Sequence, residues 1–160
     1  MNLFKLARRG RYVAILAAAT MLLTTGPLGA QRAEFQPGSP ELIQPEELAK
    51  VLKSSAAKPI VFNVGPRLIY VQAHIRGAEF IGPTAKPEGL EKLRARAASL
   101  PRDSFLVIYC GCCPWEHCPN IRPAYKELKQ MGFTRVKVLY IATSFGTDWV
   151  DKGYPAAKGE

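Results

Sequence analysis

The organisation of this chain follows from one stretch, FLVIYCGCCPWEHCPN, which occupies residues 105–120. An apolar, β-branched run ends in Cys110, and the pattern turns helical after the last residue of the stretch. The ten residues that follow Cys110 hold the other three cysteines of the chain, Cys112, Cys113 and Cys118. A cysteine between a strand end and a helix start lies where open α/β sheets bind their ligands. We therefore expect the chemistry of this protein at these residues.

The position of Cys110 also predicts its protonation state. Unpaired N–H groups and the dipole at a helix N-terminus favour an anion, so we expect a thiolate to form easily at Cys110. Gly111, His117, Asn120 and Arg122 are the residues that we expect to form an anion-binding loop around it. His117 either lowers the pKa of a neighbouring thiol or is simply an exposed loop residue.

Three continuous apolar runs indicate strands covered on both faces, since a strand with one solvated face alternates polar and apolar residues. They are PIVFNV at residues 59–64, FLVIY at 105–109 and VKVLYI at 136–141. A shorter strand is expected at residues 79–81. These runs are spaced widely enough for a helix to lie between successive strands.

Helices are predicted between the strands. One begins at Pro45, which suits the first helical position, and the two glutamates after it suit the positive end of the helix. Others are expected at residues 67–74, at 87–100 and from an N-cap at Asn120, with a short closing helix near the end of the chain. Strands that alternate with helices predict an α/β fold with a parallel sheet and helices on both faces.

Residues 1–30 have the layout of a secretory signal peptide, with basic residues first, then an uncharged stretch, then small residues that end at Ala30. We expect cleavage after Ala30, a flexible leader over residues 31–41 and one folded domain over 42–157. This predicts export to the periplasm or the extracellular space. Membrane contact is expected only in the alternative case, in which residues 12–30 stay uncleaved as an anchor of just sufficient length.

The charge of the chain does not indicate a nucleic-acid-binding protein. The chain has 22 Lys and Arg residues against 13 Asp and Glu residues, a net charge of +9. Four of the basic residues lie in residues 1–30, so 18 remain against 13 acids in the rest. They are dispersed rather than grouped in a basic stripe with aromatic residues between them, and we expect a solvated surface.

Several motifs occur in a characteristic order. They are QPEEL at 44–48, AHIRGA at 73–78, VIYC at 107–110 and GF at 132–133. In order and spacing they resemble the single-domain rhodanese-like sulfurtransferases. The resemblance implies a rhodanese-like α/β fold with a mostly parallel sheet of about five strands. It also implies that Cys110 attacks a small sulfur donor, becomes a persulfide and passes the sulfur to a thiol or cyanide acceptor, with no cofactor.

Two features depart from the pattern of that family. The cysteine loop is longer, contains Glu116 and has no Arg or Lys, so Arg122 is the nearest cation for thiosulfate. Asn63 and Gly65 stand where the family usually has the Asp and Arg of Asp-Val-Arg. The loop is therefore the least family-like part of the chain, and transfer from thiosulfate to cyanide is less expected than transfer to a thiol.

The extra cysteines leave other readings open. Cys112, Cys113 and Cys118 are candidates for resolving or accessory thiols, and Cys110 with Cys113 forms the C-x-x-C spacing of thiol–disulfide proteins. Cys118 could also pair with Cys112 or Cys113, and a disulfide here could simply staple the loop. A disulfide between neighbours Cys112 and Cys113 is disfavoured, because a trans peptide holds their Cα atoms about 3.8 Å apart. A set of Cys110, Cys113, His117 and Cys118 could instead bind Zn²⁺ or Cu(I) on a non-catalytic module.

Two further residues have competing interpretations. His74 matches the signature histidine of the family, and we expect a structural hydrogen-bonding role for it. Trp115 is expected either to line the mouth of the pocket or to pack the loop against the domain.

Overall fold

The computed structural model describes residues 39, 41–54 and 58–159. The expected signal peptide and almost all of the expected leader lie outside the described residues. Within the described ranges, no helix is long and apolar enough to cross a membrane.

The strands are β1 (Leu42–Ile43), β2 (Ile60–Asn63), β3 (His74–Ile75), β4 (Glu79–Phe80), β5 (Leu106–Tyr109), β6 (Val136–Leu139) and β7 (Ala156–Ala157). Five of them form a parallel central sheet, in the order β1-β6-β5-β2-β4. A second, two-stranded antiparallel sheet pairs β3 with β7. The predicted α/β class and the five-stranded parallel sheet are confirmed.

Three of the four two-residue strands, β1, β3 and β7, had no signal in the sequence. Two residues cannot show a periodicity, and such strands form only because a neighbouring edge offers hydrogen bonds. For β1 these come from β6 and the residue after it: the Val138 N–H donates to the Glu41 carbonyl over 2.8 Å, and the Tyr140 N–H to the Ile43 carbonyl over 2.9 Å.

Four α-helices connect the strands of the main sheet: α1 (Pro45–Lys53), α2 (Arg67–Gln72), α3 (Pro87–Ala97) and α4 (Ile121–Gln130). A 3₁₀ turn (Trp115–His117) lies in the cysteine loop, and a π-helical segment (Gly146–Val150) closes the chain before β7. The helix predicted at 87–100 ends at Ala97, in keeping with Pro101, which disfavours helical backbone at the residue before it.

The sheet is covered on both faces because successive strand residues point to opposite sides. Phe62, Leu106 and Ile108 pack with residues of α3 and α4 in one apolar cluster. Val61, Val107 and Tyr109 pack with α1 and with Trp149 of the π-helical segment in the other. The helices on both faces that the alternation predicts are therefore present.

The carboxyl ends of β2 and β5 meet at the same edge of the sheet. The two strands are adjacent and in register, with Asn63 opposite Tyr109. Residues just beyond each strand, Gly65 and Cys110, consequently lie against each other, and α4 begins beside them. This edge carries all four cysteines.

Candidate active site

The backbone of Cys110 is held by the end of β2. Asn63 is buried; its Nδ2 donates to the Cys110 carbonyl over 3.3 Å, and its Oδ1 accepts the Gly65 N–H over 3.0 Å. A Cβ on Gly65 would lie 2.3 Å from the Cys110 carbonyl oxygen and 3.0 Å from its Sγ. The two departures from Asp-Val-Arg therefore have a structural explanation. The Asn63 amide holds the backbone of Cys110 by a hydrogen bond, and Gly65 leaves room for Cys110.

The chain turns away from the strand at Gly111. This residue has φ of +84°, a left-handed conformation that glycine adopts without steric cost. A Cβ there would also lie 3.4 Å from the Cβ of Phe145. Gly111 thus sets the path of the loop as it leaves the strand.

The far side of the loop is fastened by Trp115. Its side chain is buried, with the ring centroid 6.0 Å from that of Tyr140. Its backbone N–H donates to the Ile141 carbonyl over 2.9 Å. Of the two roles expected for Trp115, packing the loop against the domain is the one the structure supports. The fastened loop returns Cys118 to the end of β5.

Three sulfur atoms meet at the strand end. Those of Cys110, Cys112 and Cys118 all lie within 4.8 Å of one another, and the Cys110 and Cys112 sulfurs are 3.0 Å apart. Cys110 and Cys118 are buried whereas Cys112 is exposed. The Cys113 sulfur is 3.2 Å from that of Cys112, outside the three-sulfur group. All four cysteines are free thiols.

A soft metal ion would meet a different set of residues from the one predicted. Within residues 39, 41–54 and 58–159, the group with ligand spacing is Cys110, Cys112 and Cys118. Cys112 takes the place of Cys113 and His117 in the predicted set. Three thiols suit Cu(I) better than structural Zn²⁺, which almost always takes four ligands.

Asn120 is a partner of Cys110 and does not cap α4 through its side chain. Its Nδ2 donates to the Cys110 sulfur over 3.3 Å, and its Oδ1 accepts the Ala85 N–H over 2.9 Å. Asn120 is the N-cap residue of α4, as predicted, and its carbonyl accepts the Ala124 N–H over 3.3 Å. Its side-chain oxygen does not cap the helix, because that oxygen is already bonded to another loop. Asn120 lies beside the Cys110 thiol, where the sequence placed it.

The surroundings of Cys118 favour a thiolate. The pKa of Cys118 is lowered to about 6, because the Cys110 thiol and the N–H groups of Asn120 and Ile121 donate to its sulfur and outweigh burial. The pKa of Cys110 is raised, because its thiol donates to Cys118 and because it is buried. The expectation of an easily formed thiolate at Cys110 is wrong: the helix start faces the sulfur eight residues further along.

Cys113 does not contribute an anion near neutral pH. Burial and the sulfur of Cys112 raise the pKa of Cys113 to about 12. The sulfurs that hydrogen-bond to Cys110 are those of Cys112 and Cys118, not that of Cys113 in the C-x-x-C pair.

His117 and Arg122 are both exposed. His117 is on the 3₁₀ turn and is not part of the three-sulfur group. Arg122 is on α4, where it lines a surface pocket of about 410 Å³ with Leu90, Lys126 and Glu127.

His74 has the structural position expected for it. Its ring stacks on Tyr70 with centroids 3.9 Å apart, and its Nδ1 lies 2.9 Å from the Tyr70 carbonyl oxygen. It is buried in β3, within the second sheet.

Sequence reasoning missed Thr84 as a part of this site. Thr84 is fully buried, and its hydroxyl donates to the Asn120 carbonyl over 2.6 Å. Together with the Ala85 N–H it fixes the residue that contacts Cys110. No local pattern marks Thr84, since its partner lies 36 residues away.

Several solved structures resemble most of this chain. The Alr3790 protein from Anabaena sp. has a TM-score of 0.57 and 22% identity, over 73% of this chain and 92% of that one. The rhodanese-like domain of Alr3790, in a solution structure, has a TM-score of 0.54 and 20% identity, over 74% and 79% of the two chains. This chain has the rhodanese-like fold.

A third similar structure is the BH2092 protein from Bacillus halodurans, with a TM-score of 0.56 and 20% identity, over 73% of this chain and 76% of that one. The chain matches no protein-family model and no curated protein. At these identities the shared structure establishes the fold. The activity of this rhodanese-like chain must be argued from its own cysteine loop.

Proposed function

We propose that this chain is an exported sulfurtransferase that carries sulfane sulfur as a persulfide on Cys110. The observation that carries the proposal is the position of Cys110 at the carboxyl end of β5, with Asn120 Nδ2 on its sulfur and the Cys118 thiolate beside it. Ligands of open α/β sheets bind at this edge. Export is proposed from residues 1–30 alone.

The hydrogen bonds at Cys110 suit an anionic sulfur. Asn120 Nδ2 and the N–H of Cys112 both donate to its sulfur, so they stabilise the Cys110 thiolate that attacks the donor. Preorganised donors of this kind stabilise a charge as it develops. The Cys118 thiolate accepts the Cys110 proton, which frees the Cys110 sulfur to attack.

The reaction has two half-reactions. The Cys110 sulfur attacks the outer sulfur of a donor R–S–SH, the donor S–S bond breaks, and RSH leaves with the proton that Cys118 had taken. An acceptor nucleophile then removes the outer sulfur and regenerates Cys110. The loop has no Lys or Arg and contains Glu116, so a small organic persulfide is a better donor than the thiosulfate dianion.

The test is mass spectrometry of the full-length, reduced protein, freed of metal by chelation and mixed with glutathione persulfide. Acid-quenched samples at early times should show a gain of one sulfur atom on the peptide that contains Cys110. Cys113→Ser is the matched control and should gain the same sulfur. A gain that survives in Cys110→Ser, or no gain in the native chain, contradicts the proposal.

A further inference from the structure

We propose that Cys118 is the resolving thiol of this site: it attacks a persulfide on Cys110, forms the Cys110–Cys118 disulfide and releases hydrosulfide. This inference rests on the persulfide proposed above and names the thiol that consumes it. The sulfur acceptor is then a thiol of the chain itself, which the fold places beside Cys110.

Distance restricts the choice to two of the three remaining cysteines. The sulfurs of Cys112 and Cys118 lie within 4.8 Å of the Cys110 sulfur, whereas the Cys113 sulfur lies outside that group. A disulfide needs an S–S bond of about 2.05 Å, which a small side-chain rotation can reach from such a separation. Cys113 would need a larger movement.

Geometry favours Cys118 over Cys112. Only Gly111 separates Cys110 from Cys112, so a bridge between them would close a small ring and strain the disulfide. Cys118 approaches from the far side of the loop, which Trp115 fastens to Ile141 over 2.9 Å. Cys118 is also buried beside Cys110, whereas Cys112 is exposed to solvent.

The start of α4 supplies the charge for the attack. The N–H groups of Asn120 and Ile121 both donate to the Cys118 sulfur. Donors at a helix start favour a negative charge on the sulfur that they contact, and the thiolate is the form of a cysteine that attacks as a nucleophile.

Atoms and electrons balance without an outside oxidant. The Cys118 thiolate attacks the inner sulfur, which belongs to Cys110, and the bond from that sulfur to the outer sulfur breaks. The outer sulfur leaves with its hydrogen as HS⁻. The sulfane sulfur is reduced by two electrons, and the two cysteine thiols are oxidised to the disulfide. Further turnover requires a partner of one chemical class, a thiol reductant that opens this disulfide.

The experiment follows sulfide and disulfide in the full-length, reduced and metal-free protein. Native and Cys118→Ser protein are loaded with glutathione persulfide, and the donor is then removed. The variant is loaded for longer, because it lacks the thiolate that accepts the Cys110 proton. The native chain should release one sulfide per chain, and non-reducing peptide maps should link Cys110 to Cys118. Cys118→Ser should keep its sulfur on Cys110 and release sulfide at least tenfold more slowly.

Cys113→Ser is the matched control and should release sulfide at the native rate. Sulfide release at the native rate from Cys118→Ser, or a native peptide map that links Cys110 to Cys112, overturns the inference while the persulfide stands. Absence of sulfur on Cys110 in every variant overturns the proposed function and this inference together. The peptide map needs only native protein, so the test does not depend on the folding of a variant.

Discussion

Cys118 is the residue whose environment differs most from its appearance in the sequence. It stands in a polar loop, three residues before the first residue of α4, yet two N–H groups of the helix start donate to its sulfur. Cys110 ends the VIYC motif, which is easier to recognise in the sequence, but its thiol is the donor in the hydrogen bond with Cys118. The anion of the site is therefore decided by which sulfur the helix start faces.

We expect the thiolate absorbance of the reduced protein to rise first around pH 6, because the pKa of Cys118 is about 6. Ultraviolet titration of native protein and of Cys118→Ser measures this step. The variant should lose the step, and Cys112→Ser should retain it. A first step near pH 9 in the native protein would contradict the assignment.

The same shift predicts how stability depends on pH. The pKa of Cys118 in the folded chain lies below its ordinary value of 9.0, so the unfolded chain binds more protons between about pH 6 and 9. Its contribution to stability is complete above pH 9 and is lost as the pH falls through 6. Cys110, with a raised pKa, acts in the opposite sense above pH 9. Denaturant midpoints of native and Cys118→Ser protein should converge toward pH 5.

At the scale of elements, the site depends on the close approach of the ends of β2 and β5. Gly65 allows this approach because a side chain there would overlap the Cys110 carbonyl oxygen, at 2.3 Å. Asn63 then bonds across the gap. The two strand ends therefore act as one support for the reactive cysteine.

Gly65→Ala should lower the free energy of unfolding by about 1–3 kcal/mol, the usual cost of an overpacked interior. It should also slow sulfur loading of Cys110, because Cys110 must move away from Asn120. Denaturant unfolding under reducing conditions measures the first effect. Gly146→Ala is the matched control, since a Cβ there meets nothing closer than 3.6 Å. Equal stabilities of the two variants would show that the strand ends can separate freely.

At the scale of the molecule, the sheet separates the thiols from a second apolar core. Cys110 and Cys118 belong to the cluster with α3 and α4, whereas Trp149 belongs to the cluster on the other face. Trp149 is fully buried, stacks on Phe145 with centroids 6.1 Å apart and donates to the Pro155 carbonyl over 3.0 Å. The π-helical segment is thereby held to the sheet.

Trp149→Ala should cost about 3–5 kcal/mol of stability, as for other buried large-to-small changes of aromatic residues. Trp149→Phe keeps the ring packing and loses the hydrogen bond, so it should cost less. Because the two clusters are on opposite faces, Trp149→Phe should leave the first thiolate step near pH 6. Calorimetry and the ultraviolet titration measure these effects. A wild-type stability for Trp149→Ala would contradict the role given to this face.

The sequence by itself determined the alternation of strands and helices, the parallel sheet and the place of Cys110 at a strand end. These follow from local properties: continuous apolar runs, Pro45 at a helix start and cysteines that are close in the chain. The short strands β1, β3 and β7 were missed because their pairing partners decide them. The end of α3 was misplaced although Pro101 gives a local signal for it.

Only the tertiary structure decided which sulfur carries the charge and which residues surround Cys110. Asn63 is 47 residues from Cys110 along the chain, and Ala85 is 35 residues from Asn120. Contacts across such separations depend on the register of the strands and on the path of the loop, which no local pattern records. Spacing in the chain pointed to Cys113, but folding of the loop brings Cys118 to Cys110.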